Sequence, residues 1–208
     1  SYELTAKLNA TEDIRVFAEG KHVYTMNRVY DNSLKKLLDG YFDYRYFLKY
    51  IVKNTAGEPV FMCKKIQRKG RLWFEATDYR TNEKYVINYE NWRIGVPELF
   101  IKGEGLDIKI DKEMEDWSNF LIGETIVARW LPVYNEETET FTITLELLPE
   151  DVKQDATFFL SIAQATLLNR HIKGATYNIL VNGNICLKYD GNKCVDELKI
   201  IGIVGTCG

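Results

Sequence analysis

The stretch "DATFFLSIAQATLLN", from Asp155 to Asn169, contains no charged side chain after its first residue. Read as a helix, it places apolar residues on one face at helical spacing and further apolar residues on the opposite side. The first face holds Ala156, Phe159, Leu160, Ala163 and Leu167, and the second holds Phe158, Ile162 and Ala165. A helix that is apolar nearly all round must be buried.

The length of this stretch decides between a membrane span and a core helix. Its roughly 14 uncharged residues fall short of the ~20 that a bilayer requires, and Ser161 and Gln164 lie within it. We therefore predict a core helix over about residues 150–169. Pro149, Glu150 and Asp151 are a plausible start for it, because proline and acidic residues favour the first turn of a helix.

Most of the remaining chain reads as β-hairpins. "YRYFLKYIVKNTAGEPVFMCKKI" has two runs of strand type around a turn at residues 54–57, and similar pairs follow as far as "ETFTITLELL". We read "NFLIGETIVARWLPVY" as the partner of that last run. One short, surface-like helix, "NSLKKLLDG", interrupts the pattern, with Leu34, Leu37 and Leu38 in one stripe. A buried helix among so many strands needs a container, and a closed or nearly closed barrel supplies one without exposed edges.

About 40 residues follow the predicted core helix. Asn182-Gly183 is a strong hairpin signal, and Asp190-Gly191 marks a second turn. We assign residues 1–173 to the barrel and 174–208 to a C-terminal β-hairpin extension on the same domain. Three placements of the extension stay open: strands that close the barrel, strands that extend it, or a strand that binds a partner. The segment up to Arg28 could likewise pair with the barrel.

Three segments within about residues 41–168 follow one another in a distinctive order: "KYIVKNTAGEPVFMCKK", "LWFEATDYRTNEKYVI" and "PEDVKQDATFFLSIAQATLL". This order of two hairpins and a late hydrophobic helix resembles the tubby C-terminal-like family, including its bacterial and LURP-one-related members, which are similar to phospholipid scramblases. The resemblance implies a mainly β fold, with a closed barrel of roughly twelve strands around a central hydrophobic α-helix. The C-terminal β extension departs from the family, where the central helix usually ends the chain.

Composition limits the classes of function. The net charge of -3 and pI near 5.6 argue against general nucleic-acid binding. The opening segment has no apolar core typical of a secretory signal, and the cysteines read as reduced thiols of a cytoplasmic protein. Without a C-x-x-C pair we expect no metal site, and the redox states of Cys186, Cys194 and Cys207 stay open. We also expect no cofactor; the oligomeric state is left open.

The densest basic segment is "CKKIQRKGR", which contains Lys64, Lys65, Arg68, Lys69 and Arg71 around a predicted hairpin tip. Lysine and arginine form charge-assisted hydrogen bonds to phosphate, so this segment is our candidate patch for anionic ligands. The competing interpretation is a solvated turn whose charges serve solubility. The resemblance implies phosphoinositide binding by analogy with eukaryotic tubby domains, although no motif here allows their lipid-binding residues to be transferred.

These observations predict a non-enzymatic binding module for an anionic lipid, a phosphorylated ligand or a protein partner. We expect it in the cytoplasm, with peripheral attachment to an anionic membrane as an open alternative. The alternative function is an enzyme with a surface-cleft Cys/His site that uses His22 or His171. No nucleophile-elbow, P-loop or dinucleotide-binding motif supports such an enzyme.

Overall fold

The computed structural model contains two compact units, Ser1–Asn169 and Arg170–Gly208. It describes residues 1–5, 7, 9–41, 44, 46–68, 71–90, 98–103, 105–112, 117–148, 152–167, 179–181, 184–190 and 193–198. The first unit is mainly β and contains both helices of the described residues. This matches the fold class that the sequence predicts.

Twelve antiparallel strands of the first unit form one closed barrel. They are β1 (Tyr2–Thr5), β2 (Ile14–Ala18), β3 (Lys21–Arg28), β4 (Lys49–Lys53), β5 (Pro59–Arg68), β6 (Arg71–Asp78), β7 (Lys84–Glu90), β8 (Glu98–Gly103), β9 (Leu106–Asp111), β10 (Ser118–Ile122), β11 (Thr125–Asn135) and β12 (Thr140–Leu147). Each strand pairs with its sequence neighbour, and β1 pairs with β12 to close the ring. The N-terminal segment therefore contributes strands to the barrel. The two strands that close the barrel, β1 and β12, both belong to the first unit.

Turn chemistry explains the hairpin boundaries. Between β4 and β5, the side chain of Asn54 accepts hydrogen bonds from the backbone N–H groups of Ala56 and Glu58, and Gly57 has a φ of 83°. Between β10 and β11, Gly123 has a φ of 60°. The run that the sequence predicted as a single strand is therefore split in two at this glycine.

Helix α2 (Ala156–Leu167) fills the barrel. Every residue from Thr157 to Thr166 is buried, which requires contact on all sides of the helix. Phe158 packs edge-on against Phe61 of β5 and Tyr85 of β7, while Phe159 packs against Phe120 of β10. Aromatic rings from well-separated strands thus converge on one helix, as the prediction of a central helix requires.

The start of α2 lies later than the sequence suggested. Asp155 acts as the N-cap, because its carboxylate accepts hydrogen bonds from the backbone N–H groups of Thr157 and Phe158. Arg80 pairs with both Asp155 and Asp78, so the helix start is tied to the loop between β6 and β7. Pro149, Glu150 and Asp151, where the helix start was predicted, lie outside the described residues, and α2 begins directly after its cap, Asp155. Within the described residues, no helix is long and apolar enough to cross a membrane.

Helix α1 (Ser33–Gly40) lies between β3 and β4. The side chain of Asn32 caps its first turn by accepting a hydrogen bond of 2.8 Å from the N–H of Lys35. Near its other end, buried Asp39 pairs with buried Arg28 of β3. This ion pair fixes one polar side of α1 against the barrel.

The second unit contains a separate antiparallel sheet in the order β13 (Ile179–Val181), β14 (Asn184–Asp190) and β15 (Lys193–Leu198). Val181 pairs with Asn184 and Asp190 pairs with Lys193, so reversals fall at the two predicted turns. The C-terminal β extension is confirmed, with three strands. Asn182, Gly183 and Gly191 themselves lie outside the described residues.

Candidate anion-binding groove

A cavity of about 250 Å³ opens between α1, the start of β4 and the end of β5. Its described lining includes five basic residues and a single carboxylate residue. The basic residues are Lys35, Lys49, Lys64, Lys65 and Arg68, the carboxylate is Asp31, and the remaining lining residues are Val29, Tyr30, Tyr46, Phe47, Leu48, Ile66 and Gln67. We call this cavity the basic groove. It concentrates positive charge in a chain whose net charge is negative.

Two of the lysines face each other across the sheet. Lys49 of β4 is the direct cross-strand partner of Lys64 of β5. Directly opposed like charges destabilise a sheet, so each lysine requires a compensating carboxylate. Lys49 has Asp31 at 2.8 Å and Lys64 has Glu75 at 2.9 Å.

Asp31 holds two lysines at once. Its carboxylate accepts hydrogen bonds from Lys35 Nζ at 2.5 Å and from Lys49 Nζ at 2.8 Å. The hydrogen bond from Lys35 has the largest effect and the one from Lys49 the next largest, and together they lower the pKa of Asp31 to about 2. Asp31 is therefore ionised at neutral pH, and one negative charge stands against the two ammonium groups beside it.

Glu75 restrains Lys64 in a similar way from β6. Partial burial would raise the pKa of Glu75, but the hydrogen bonds from Lys64 and Trp73 outweigh it, so the pKa is lowered. The Arg68 charge acts in the same direction. Glu75 and Asp31 hold Lys64, Lys49 and Lys35 in place.

Aromatic side chains form part of the groove wall. Tyr46 and Phe47 contact each other edge-on, with ring centroids 4.8 Å apart, and the Tyr46 hydroxyl donates to the carbonyl of Gln67 at 3.2 Å. Lys35 Nζ lies 5.7 Å from the Phe47 ring centroid, within the range of a cation–π contact. The Phe47 ring thus contacts the Lys35 ammonium group at the groove wall.

The structure brings together part of the predicted basic patch. Lys64, Lys65 and Arg68 line the groove, whereas Arg71, which pairs with Arg68 across the β5–β6 hairpin, is exposed and is not among the lining residues. Lys69 lies outside the described residues. Lys64 and Lys65 lie on opposite faces of β5, because side chains alternate along a strand. Lys64 is half-buried beside Glu75, and Lys65 is buried opposite Phe74. The role of these residues in binding remains a prediction.

Sequence reasoning missed Lys35 and Lys49. They lie on α1 and β4, far from the basic segment in the chain, and join it only because β4 pairs with β5 and α1 lies beside them. One signal was present. Asp31 and Lys35 stand four residues apart, the spacing of an ion pair on a helix.

A second, smaller cavity of about 80 Å³ has a different character. Its lining includes Glu3, Glu12 and Asp13 together with Lys7 and Arg28. Three acidic residues exceed the two basic ones in this lining, so the cavity does not suit an anionic ligand. The basic groove is the stronger candidate.

The described residues give no support to a Cys/His site. Cys63 is buried, and burial raises the pKa of its thiol, which disfavours the reactive thiolate. His22 is exposed on β3, with Nε2 3.0 Å from Thr25 Oγ1. Neither residue lines either cavity described above. The side chains of His171, Cys186, Cys194 and Cys207 lie outside the described residues.

Fold and groove together define a class of protein: a β-barrel filled by its own helix, with its candidate ligand site on the outside. The family model of the Tubby C-terminal like domain matches residues 1–169, and the chain belongs to this family. The match extends the resemblance to the first strand and ends with the first compact unit. Neither the search of curated proteins nor that of solved structures found a match.

Proposed function

We propose that this chain is a non-enzymatic binding module that holds an anionic, phosphate-bearing ligand in the basic groove. The observation that carries the proposal is that five basic residues, from α1, β4 and β5, line one cavity with one carboxylate residue among its described lining. Membership of the tubby-like family supports a binding role in general. The ligand class comes from the chemistry of the groove.

Phosphate suits this groove for electrostatic reasons. Ammonium and guanidinium groups form short charge-assisted hydrogen bonds to phosphate oxygens. A phosphate between Lys49 and Lys64 would also relieve the repulsion between these opposed side chains. The groove volume of about 250 Å³ leaves room for more than one phosphate group. A ligand with two or more phosphates would therefore engage several basic residues together.

The barrel interior offers no competing site in its described part, since α2 occupies it with ten consecutive buried residues. Under this proposal the module works in the cytoplasm, free or at an anionic surface, and requires no cofactor. The enzyme alternative would need a nucleophile and a base within one cleft. Cys63 and His22 do not line a common cavity among the two described, so we favour the binding module.

Inorganic pyrophosphate is a suitable soluble probe. Calorimetric titration at low and at physiological salt would measure its affinity for the parent and for a variant with Lys35→Ser, Lys49→Ser and Arg68→Ser. Two opposite unit charges about 4 Å apart attract by about 1 kcal/mol in water, so three removals should weaken binding at least tenfold. Lys65 stays unchanged in this variant because its burial makes it a risk to folding.

The matched control removes three exposed basic residues that do not line the groove: Arg15→Ser, Lys21→Ser and Lys84→Ser. Both variants lose the same net charge, so a general charge effect would weaken them equally. Retained affinity in the control and lost affinity in the groove variant would support the proposal. Equal affinities in the two variants, or no pyrophosphate binding by the parent, would refute it.

A further inference from the structure

Helix α1 turns its apolar side toward solvent. Leu34, Leu37, Leu38 and Tyr41 follow the spacing i, i+3, i+4, i+7 and therefore share one face. Their side chains are 62%, 66%, 39% and 81% exposed. A helix on a barrel normally buries such a face, so α1 has the reverse orientation. We call these four residues the leucine face.

The opposite side of α1 explains why the leucine face cannot rotate inward. Asp39 is completely buried and pairs with Arg28 of β3. Its carboxylate also accepts hydrogen bonds from the Tyr30 hydroxyl at 2.8 Å and from the backbone N–H groups of Tyr46 and Phe47 at 2.9 and 3.0 Å. Rotation would leave a buried arginine charge without this carboxylate, which is costly. The fold therefore imposes exposure of the leucines.

The leucine face and the basic groove share one helix. Lys35 follows Leu34 directly and lines the groove, while Lys36 is exposed on the same helix. The surface thus combines an apolar stripe with an adjoining set of ammonium and guanidinium groups. Acyl chains beneath anionic headgroups complement both parts, which is how amphipathic helices bind at a membrane interface.

We infer that the leucine face inserts into the interfacial layer of an anionic membrane while lipid phosphates occupy the basic groove. The inference rests on the proposed function, since the groove supplies the headgroup contacts and orients α1 toward the bilayer. The leucines add a component that salt does not screen. Binding should therefore persist in part at physiological salt, where purely electrostatic attraction weakens.

Vesicle co-sedimentation tests this inference with the full chain. The vesicles contain phosphatidylcholine, with or without phosphatidylserine, at low and physiological salt. The test variant carries Leu34→Ser and Leu37→Ser, the two most exposed leucines of α1. The control carries Val133→Ser and Leu147→Ser, which are exposed on β11 and β12, three or more strands around the barrel from β3 and β4, the strands that α1 connects. Thermal melts confirm that both variants fold.

We expect the test variant to lose at least tenfold in affinity for phosphatidylserine vesicles, while its affinity for pyrophosphate matches that of the parent. The control should keep both affinities.

Equal pelleting of the parent and the test variant would overturn the inference and leave the groove intact. A shift from dimer to monomer in the test variant, with vesicle binding unchanged, would assign the leucine face to a second copy of the chain and would also overturn it. Failure of the anion-binding proposal itself would show in a different measurement: pyrophosphate affinity would then not depend on the groove lysines.

Discussion

The hydroxyl of Tyr2 donates a hydrogen bond of 2.8 Å to Oε1 of Gln164, which joins the second residue of the chain to the centre of the buried helix. Both residues are buried, so water cannot replace the bond. Tyr2→Phe would keep the ring and remove the donor. We expect a loss of about 1–3 kcal/mol in the free energy of unfolding, measured by urea denaturation.

Tyr79→Phe is the control for this change, because Tyr79 is exposed at the end of β6. Its unfolding midpoint should stay close to that of the parent. Similar midpoints for the Tyr2 and Tyr79 variants would contradict the importance of the buried bond.

Asp155 caps α2 and pairs with Arg80, and two substitutions separate these roles. Asp155→Ala removes both, and loss of an N-cap typically costs about 1 kcal/mol. Asp155→Asn keeps an oxygen acceptor for the cap and removes the charge. We expect urea denaturation to show a larger loss for alanine than for asparagine. Equal losses would indicate that the ion pair, not the cap, is the main contribution.

The carboxylates around Arg80 should make stability sensitive to acid. Burial alone would raise the pKa of Asp78 and Asp155, but hydrogen bonds from Arg80 and from neighbouring groups lower both below their ordinary values. A carboxyl group whose pKa is lower in the folded state stabilises the fold fully at a pH above its unfolded-state pKa. This stabilisation is lost as the pH falls through the folded-state pKa. The urea midpoint should therefore fall below about pH 4. In Arg80→Gln the urea midpoint should fall less steeply at acid pH. The same steep fall in that variant would contradict the role given to the Arg80 ion pairs.

Asp31→Asn should strengthen anion binding. Asp31 is the carboxylate in the groove lining, and its pKa of about 2 keeps it charged at neutral pH. Two like unit charges about 4 Å apart repel by about 1 kcal/mol in water, so removal of the Asp31 charge beside a bound phosphate should raise affinity about fivefold. Pyrophosphate titration measures this, with Asp107→Asn, outside the groove lining, as the charge-matched control. Weaker binding in Asp31→Asn would show instead that Asp31 is needed to position Lys35 and Lys49.

A chain that ends at Asn169 keeps all twelve barrel strands and α2. Because β1 pairs with β12, this shortened chain has a closed sheet without an unpaired edge. We expect this shortened chain to unfold in one cooperative thermal transition, which circular dichroism would monitor. Aggregation or a broad transition would show that residues 170–208 are needed for the stability of the barrel.

The sequence was sufficient to predict the buried helix and the hairpins, because both depend on local patterns, whereas the barrel was inferred from the need to enclose the helix and from the family resemblance. The uncharged stretch after Asp155 leaves a helix no polar face, and turn residues such as Asn54 and Gly57 mark reversals between strands. The start of α2 was placed too early because Glu150 and Asp151 looked like an acidic first turn. Hydrogen bonds that only the folded chain reveals identify Asp155 as the cap.

The groove was only partly predictable, because its residues come from separate parts of the chain. Lys64, Lys65 and Arg68 are close in sequence, but Lys35 and Lys49 reach them only through the pairing of β4 with β5 and the position of α1. The stripe on α1 was visible in the sequence, but its direction was not. Buried Asp39 sets that direction, and a charge is expected at the surface until its partner Arg28 is known.

The pairing of β1 with β12 has a consequence for synthesis of the protein. The ribosome makes Tyr2–Thr5 before the other strands of the unit, yet their partner strand Thr140–Leu147 and the filling helix Ala156–Leu167 come from the far end of the unit. An emerging chain therefore holds an unpaired strand and an empty, open sheet until nearly the whole first unit has left the ribosome. Contacts so distant in sequence form slowly and leave incomplete chains prone to aggregation. Nascent chains that end before Leu167 should depend on chaperones in a way that the finished barrel does not.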